Sequence, residues 1–190
     1  MIKYVSRGGL KLECFLRSSG LKIQGMTVLD VGSSHGGFTQ ASLMAGAKRV
    51  YALDVGKGVL DWRLRTLPEV TVMEGFNARD LRPDDFDETP EACFVDVSFI
   101  SLKKVLPAVF GAVSGHTAAL VKPQFEATYE EVSRGRGIVD DTAIHQRVLD
   151  EIREAVKNEN WEYIGTYPCT VKGRKGNREY FIYYRRVSEK

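Results

Sequence analysis

Short apolar runs alternate along this chain with stretches in which apolar positions recur every three or four residues, and that alternation predicts its elements. Strands are expected over 27–31, 49–54, 70–74, 92–99 and 117–126, each an almost unbroken run of buried residue types. Helical spacing is expected over 38–44, over 59–65, and over 102–113 with a bend at Pro107. The segment 141–157 has Ile144, Val148, Ile152 and Val156 on one stripe, so it reads as a long core-packing helix in which His145 is structural. Two further strands, 161–167 and 180–186, close the chain. Ahead of the first strand a helix runs to about Arg17, with Leu12, Phe15 and Leu16 on one face and Ser6 or a glycine as its cap. The acidic, proline-bearing stretch 80–91 reads as a surface connection. The stretch 128–139 has no periodicity and is expected to be a mobile loop, either ordinary surface or a lid over a crevice. Strand and helix in alternation give an α/β, Rossmann-like fold: a doubly wound, mainly parallel sheet of about seven strands, with helices on both faces and ligands at the carboxyl ends of the strands.

Composition narrows the class. A chain of 190 residues, 43% hydrophobic and 27% charged, is of single-domain size. Residues 1–24 are read as a lead and helix packed on a main domain of 25–190. No apolar run approaches a membrane span, and no secretory leader is visible, so a cytoplasmic location is expected. Cys14, Cys93 and Cys169 are odd in number and far apart, which argues against a disulfide framework and against zinc; no metal is expected.

The chemistry begins at Asp30-Val31-Gly32-Ser33-Ser34-His35-Gly36-Gly37-Phe38, a strand end running through a glycine-rich corner into a helix. Glycines let the backbone turn sharply and approach a ligand, and the helix start offers unpaired N–H groups. Ser34 stands where a dinucleotide fold wants its second glycine, and a carboxylate at Asp30 suits a ligand bearing ammonium and sulfonium charge. This favours S-adenosyl-L-methionine (SAM) over NAD. Asp54, with Val55 after it, ends the second strand about twenty residues beyond the first corner glycine, where an acid binds ribose hydroxyls in either kind of site. Asn77 follows the third strand, where an adenine would lie, and Asp96 repeats the pattern of an acid at a strand end. Lys122 at the mouth of the fifth strand would be partly desolvated. Lys11 stands in a first helical turn, an unfavourable place for a cation and an odd one unless it has a partner.

The net charge of +2 is too small to announce nucleic acid, so the distribution must carry that argument. Lys172, Arg174, Lys175 and Arg178 crowd the segment between the last two strands. Together with Arg185, Arg186 and the N-terminal Lys3, Arg7 and Lys11 they would make a phosphate-binding rim if the two ends meet, and a solvated face if they do not.

Six stretches, Ser6–Glu13, Leu29–Gly32, Gly36–Thr39, Asp54–Gly56, Asp96–Leu102 and Leu120–Glu126, closely resemble the TlyA (haemolysin A) family over nearly the whole chain. The resemblance implies an FtsJ-like class I methyltransferase fold, SAM as donor, and 2′-O-methylation of ribose in ribosomal RNA, typically at cytidines of both subunits. It also implies a Lys-Asp-Lys-Glu tetrad at Lys11, Asp96, Lys122 and Glu179. In that scheme Lys122 is the base or steers the hydroxyl, Asp96 is its electrostatic partner, and Lys11 and Glu179 position the substrate. The donor contacts would be Asp30, Gly32, Ser34, Gly36, Gly37, Phe38, Asp54, Val55, Asn77 and Asp96. Ribosomal RNA or subunits would bind Arg7, Lys172, Arg174, Lys175 and Arg178. Family members usually carry a small RNA-binding domain before the Ser-Arg-Gly-Gly motif, whereas this sequence opens almost at the motif. His35 and Gln40 stand where a small hydroxyl residue and an acid are expected. The alternatives are a membrane-active haemolysin-type protein, which the absence of a span or of a strongly one-sided cationic helix disfavours, and an RNA- or SAM-binding domain without turnover.

Overall fold

A computed structural model describes residues 4–187. Its elements in chain order are α1 (Gly8–Ser19), β1 (Thr27–Val31), α2 (Gly37–Met44), β2 (Arg49–Asp54), α3 (Trp62–Arg65), β3 (Val70–Glu74), β4 (Ala92–Val95), α4 (Leu102–Ala112), β5 (His116–Val121), α5 (Pro123–Glu126), α6 (Tyr129–Arg134), α7 (Thr142–Ala155), β6 (Trp161–Pro168) and β7 (Tyr180–Arg186). The strands form one sheet in the order β3-β2-β1-β4-β5-β7-β6. The first five are parallel, and β7 runs antiparallel between β5 and β6.

Both faces of the sheet are covered, which is why its strands read as continuous apolar runs. On one face Leu29, Val31, Leu53, Cys93, Val95 and Ala119 pack under α4 and α7. On the other, Val28, Val50, Phe94 and Phe181 pack under α1 and α2, with Leu12 and Phe15 of α1 fully buried. Burial of each such side chain contributes about 1.5–3 kcal/mol.

Several expectations are corrected. The helix over 59–65 is only the single turn of α3, capped by the Asp61 carboxylate on the Arg63 N–H. Strand β4 stops at Val95 and β5 at Val121, because Pro123 begins α5 directly after Lys122. The stretch 128–139 is not a loop throughout: Thr128 and Glu131 form a reciprocal capping box that starts α6. Helix α1 begins after Arg7 without a side-chain cap, so neither Ser6 nor a glycine serves as one.

The order reverses between β1 and β4, the switch point at which doubly wound sheets open a crevice. The antiparallel course of β7 pairs its first residue, Tyr180, with Val121, so Glu179 arrives at the same carboxyl edge as Lys122.

Candidate active site

Two cavities meet over the switch point. The first, about 410 Å3, is lined by Gly32, Ser34, Asp54, Val55, Asn77 and Asp96, with Phe76, Val97 and Ile100 adding apolar wall. The Asp54 carboxylate accepts the Ser34 N–H through one oxygen and the Gly56 N–H through the other, both at 2.8 Å, so it ties the corner to the loop after β2. Gly32 has φ +85, and a Cβ on it would lie 2.6 Å from the Asp96 carbonyl oxygen. Only glycine fits there. Asn77 caps a short turn by accepting the Arg79 N–H at 3.1 Å.

The second cavity, about 400 Å3, shares Gly32, Ser34, Asp96 and Ser98 with the first and adds Arg7, Lys11, Gly37, Phe38, Lys122 and Glu179. All four tetrad side chains therefore line one space. Lys122 Nζ lies 2.5 Å from Asp96 Oδ1 and donates to the Val97 carbonyl at 2.9 Å and to Ser98 Oγ at 3.0 Å. Lys11 Nζ lies 2.6 Å from Glu179 Oε2, a pair only 11% and 3% exposed at its side chains. Buried ion pairs need such close partners, because each charge left alone would be strongly penalised. Lys11 reaches Glu179 because α1 packs against the start of α2: a Cβ on Gly37 would meet Ser6 Oγ at 2.2 Å and the Gly9 nitrogen at 2.7 Å.

Two expected donor contacts are not on these walls. Asp30 is fully buried below the corner, where it accepts a 2.6 Å hydrogen bond from Thr39 Oγ1. Burial pushes its carboxyl up to about 7, against the Thr39 hydrogen bond and with help from the charges of Asp96 and Asp54. Gly36 faces the other way, with Leu64 and Leu60 where its Cβ would be. Gly37 and Phe38 line the tetrad cavity instead of the first one. His35 is exposed and lies 3.2 Å from Ser34 Oγ, while Gln40 accepts the Val5 N–H at 2.7 Å and so anchors the N-terminal segment.

Arg7 lines the tetrad cavity, and Lys172, Lys175 and Arg178 lie exposed in the loop that leads to Glu179. The side chain of Arg174 and the whole of Lys3 lie outside the described residues. Arg185 and Arg186 do not join this rim. They sit at the far end of β7, where Arg185 pairs with Glu162 and Arg186 donates to the Val113 carbonyl. The sequence reading missed Phe99 and Phe125, which meet with ring centroids 5.0 Å apart at the tetrad cavity. Phe99 is 90% exposed and has φ +64, an unusual conformation for an aromatic residue. Among the described residues no helix is long and apolar enough to cross a membrane.

The model of the FtsJ-like methyltransferases matches residues 4–186. The chain belongs to that family. Relatives within it include hemolysin A of Brachyspira hyodysenteriae, 39% identical over 96% of this chain and 77% of that protein. The 16S/23S rRNA (cytidine-2′-O)-methyltransferase TlyA of Mycobacterium tuberculosis is 38% identical over 98% of this chain and 70% of its own length. A candidate hemolysin of Lactococcus lactis, solved by crystallography, superposes with a TM-score of 0.93 at 43% identity, covering 98% of this chain and 90% of that one. The wider fold extends to magnesium protoporphyrin IX methyltransferase of Synechocystis, at a TM-score of 0.62 and 12% identity over 95% of this chain and 83% of that one. The protein is thus a methyltransferase with the seven-stranded fold expected of its class.

Proposed function

We propose that this enzyme transfers a methyl group from SAM to a ribose 2′-hydroxyl of ribosomal RNA, at a cytidine, in the cytoplasm. The observation that carries the reading is the meeting of Lys11, Asp96, Lys122 and Glu179 in one cavity that shares its Gly32 and Asp96 wall with a second. The substrate class rests on the relatives described as rRNA (cytidine-2′-O)-methyltransferases.

The residues of the first cavity fit SAM. Gly32 opens a cradle that any Cβ would fill, and each Asp54 oxygen keeps a second lone pair for a ribose diol. Val55, Phe76 and Ile100 supply apolar walls for adenine, with Asn77 beside them. When bound, SAM supplies a methyl group on a positively charged sulfur.

In the second cavity Lys122 steers the hydroxyl. Its Nζ already has Asp96, Val97 and Ser98 as partners, an arrangement that favours steering over the role of a free base. As the oxygen takes the methyl group that the donor sulfur releases, its proton passes to water, and the Asp96 carboxylate offsets the positive charge that builds on the oxygen meanwhile. Lys11 and Glu179 fix the ribose from the opposite side, and Arg7, Lys172, Lys175 and Arg178 hold phosphates.

Tritiated-methyl transfer from SAM to unmodified ribosomal subunits, with mapping of the labelled ribose, tests the reading. The parent protein should label one class of 2′-oxygen. Lys122→Ala should lose roughly a hundredfold or more of the rate, the scale of positioned acid–base groups, while calorimetry shows SAM still bound. Retained turnover would remove Lys122 from the role, and SAM binding without label would leave a binding domain.

A further inference from the structure

We propose that Arg136 and Lys175 form a two-pronged phosphate clamp, buckled by Asn177, that grips the RNA backbone next to the target ribose; this rests on the RNA reading above. Four non-glycine residues among those described have positive φ: Ser34, Phe99, Arg136 and Lys175. The first two line the cavities. The other two are cations at the tips of facing turns, each followed by a glycine of positive φ, Gly137 and Gly176. Backbone held in this region persists only where surrounding structure enforces it, and such residues gather at functional sites.

Asn177 does the enforcing. It is buried, its Oδ1 accepts the Val139 N–H at 2.9 Å, and its Nδ2 donates to the Gly137 carbonyl at 2.9 Å. Its own carbonyl accepts the Gly173 N–H at 2.9 Å, so one residue ties both turns. The first turn is anchored in addition to α7, through His145 Nε2 and the Val139 carbonyl at 2.7 Å.

The buckle brings the two cation-bearing turns together. A Cβ on Gly137 would lie 3.2 Å from Lys175 Nζ, so the ammonium rests one residue from exposed Arg136. Neither cation has a carboxylate partner among the described residues. Glu131 is committed to Arg147 and to capping α6, and Asp141 caps α7. Two cations without carboxylate partners on neighbouring turns leave a positive potential that an anion reached by both would neutralise. The Lys175 turn also abuts the tetrad, since a Cβ on Gly173 would fall 2.0 Å from Glu179 Oε1. The anion that belongs there is a backbone phosphate of the strand whose ribose enters the cavity.

Arg136→Gln, Lys175→Gln and the double variant should be compared with the parent in ribosomal-subunit binding and methyl transfer across a salt series. Each single change should weaken RNA binding roughly five- to tenfold and lower the slope of log affinity against log salt by about 1. KM for the subunit should rise with kcat, SAM affinity and the thermal midpoint unchanged, and Arg136→Lys should restore binding. Asn177→Asp, which keeps the acceptor and loses the donor, should reproduce the KM effect; should it fail to fold, the exposed cation pair decides the matter alone. A double variant with the parent's affinity and salt slope, or one that loses kcat at constant KM, overturns the clamp while leaving the methyltransferase reading intact. A parent protein that neither binds nor methylates subunits overturns the reading itself.

Discussion

Asp30 is a carboxyl group with no access to water, and its chemistry follows from that. Its ordinary value is 3.8, and burial lifts it to about 7 in the fold. Between those values the folded protein keeps a proton that the unfolded chain has lost, so stability falls as pH rises from about 4 to about 7, by something on the order of 4 kcal/mol, and is level above. Asp30→Asn should remove that decline. The difference between the two thermal midpoints, followed from pH 4 to 8.5, isolates it from other carboxylates, and parallel curves would sink the idea. The acid was legible in the sequence but its direction was not. In a strand alternate residues face opposite sides, and Asp30 follows Val28 to the face under α2, where one of its oxygens accepts from Thr39. Asp54, by contrast, stands at the crevice as its strand-end position implied. Asp54→Ala should weaken SAM binding by about 1–3 kcal/mol, the range for a charge-assisted hydrogen bond, as calorimetry would show.

At the scale of elements, the loop between β2 and α3 hangs from one side chain of β3. Glu74 accepts the N–H groups of Gly58, Val59 and Leu60 at 2.7, 2.9 and 3.1 Å and pairs with Arg65 at 2.5 Å. Burial works against its charge, but these donors win and hold the carboxyl at about 2. Glu74→Gln should lower the urea midpoint by an amount equivalent to about 1–3 kcal/mol and also weaken SAM binding, because Val55 lies in the loop it restrains. An unchanged SAM affinity would show that the loop is held by other contacts. The central strands β1, β2, β4 and β5 were readable because they are buried on both faces, whereas α6 escaped because it is short and none of its residues is buried. Its signal was chemical rather than periodic: Thr128 followed three residues later by Glu131. Lys11 in a first helical turn hinted at a partner, but nothing local could name Glu179.

Across the whole molecule, a net charge of +2 conceals an uneven distribution. Lys48, Arg49, Lys103, Arg147 and Arg185 are paired away from the cleft, while beside it Arg7, Lys172 and Arg178 have no ion pair among the described residues. Replacing Lys172 and Arg178 together by Gln should therefore flatten the salt dependence of RNA binding by about 2 in slope, with the fold and SAM affinity unchanged; an unaltered slope would put the RNA path on another face. The Lys11–Glu179 pair has one more consequence, in time rather than space. Its partners lie 168 positions apart, so α1 is synthesised long before the residue that neutralises its cation. Chains grow over seconds and domains dock as units. A chain still short of Glu179 therefore has no assembled pocket.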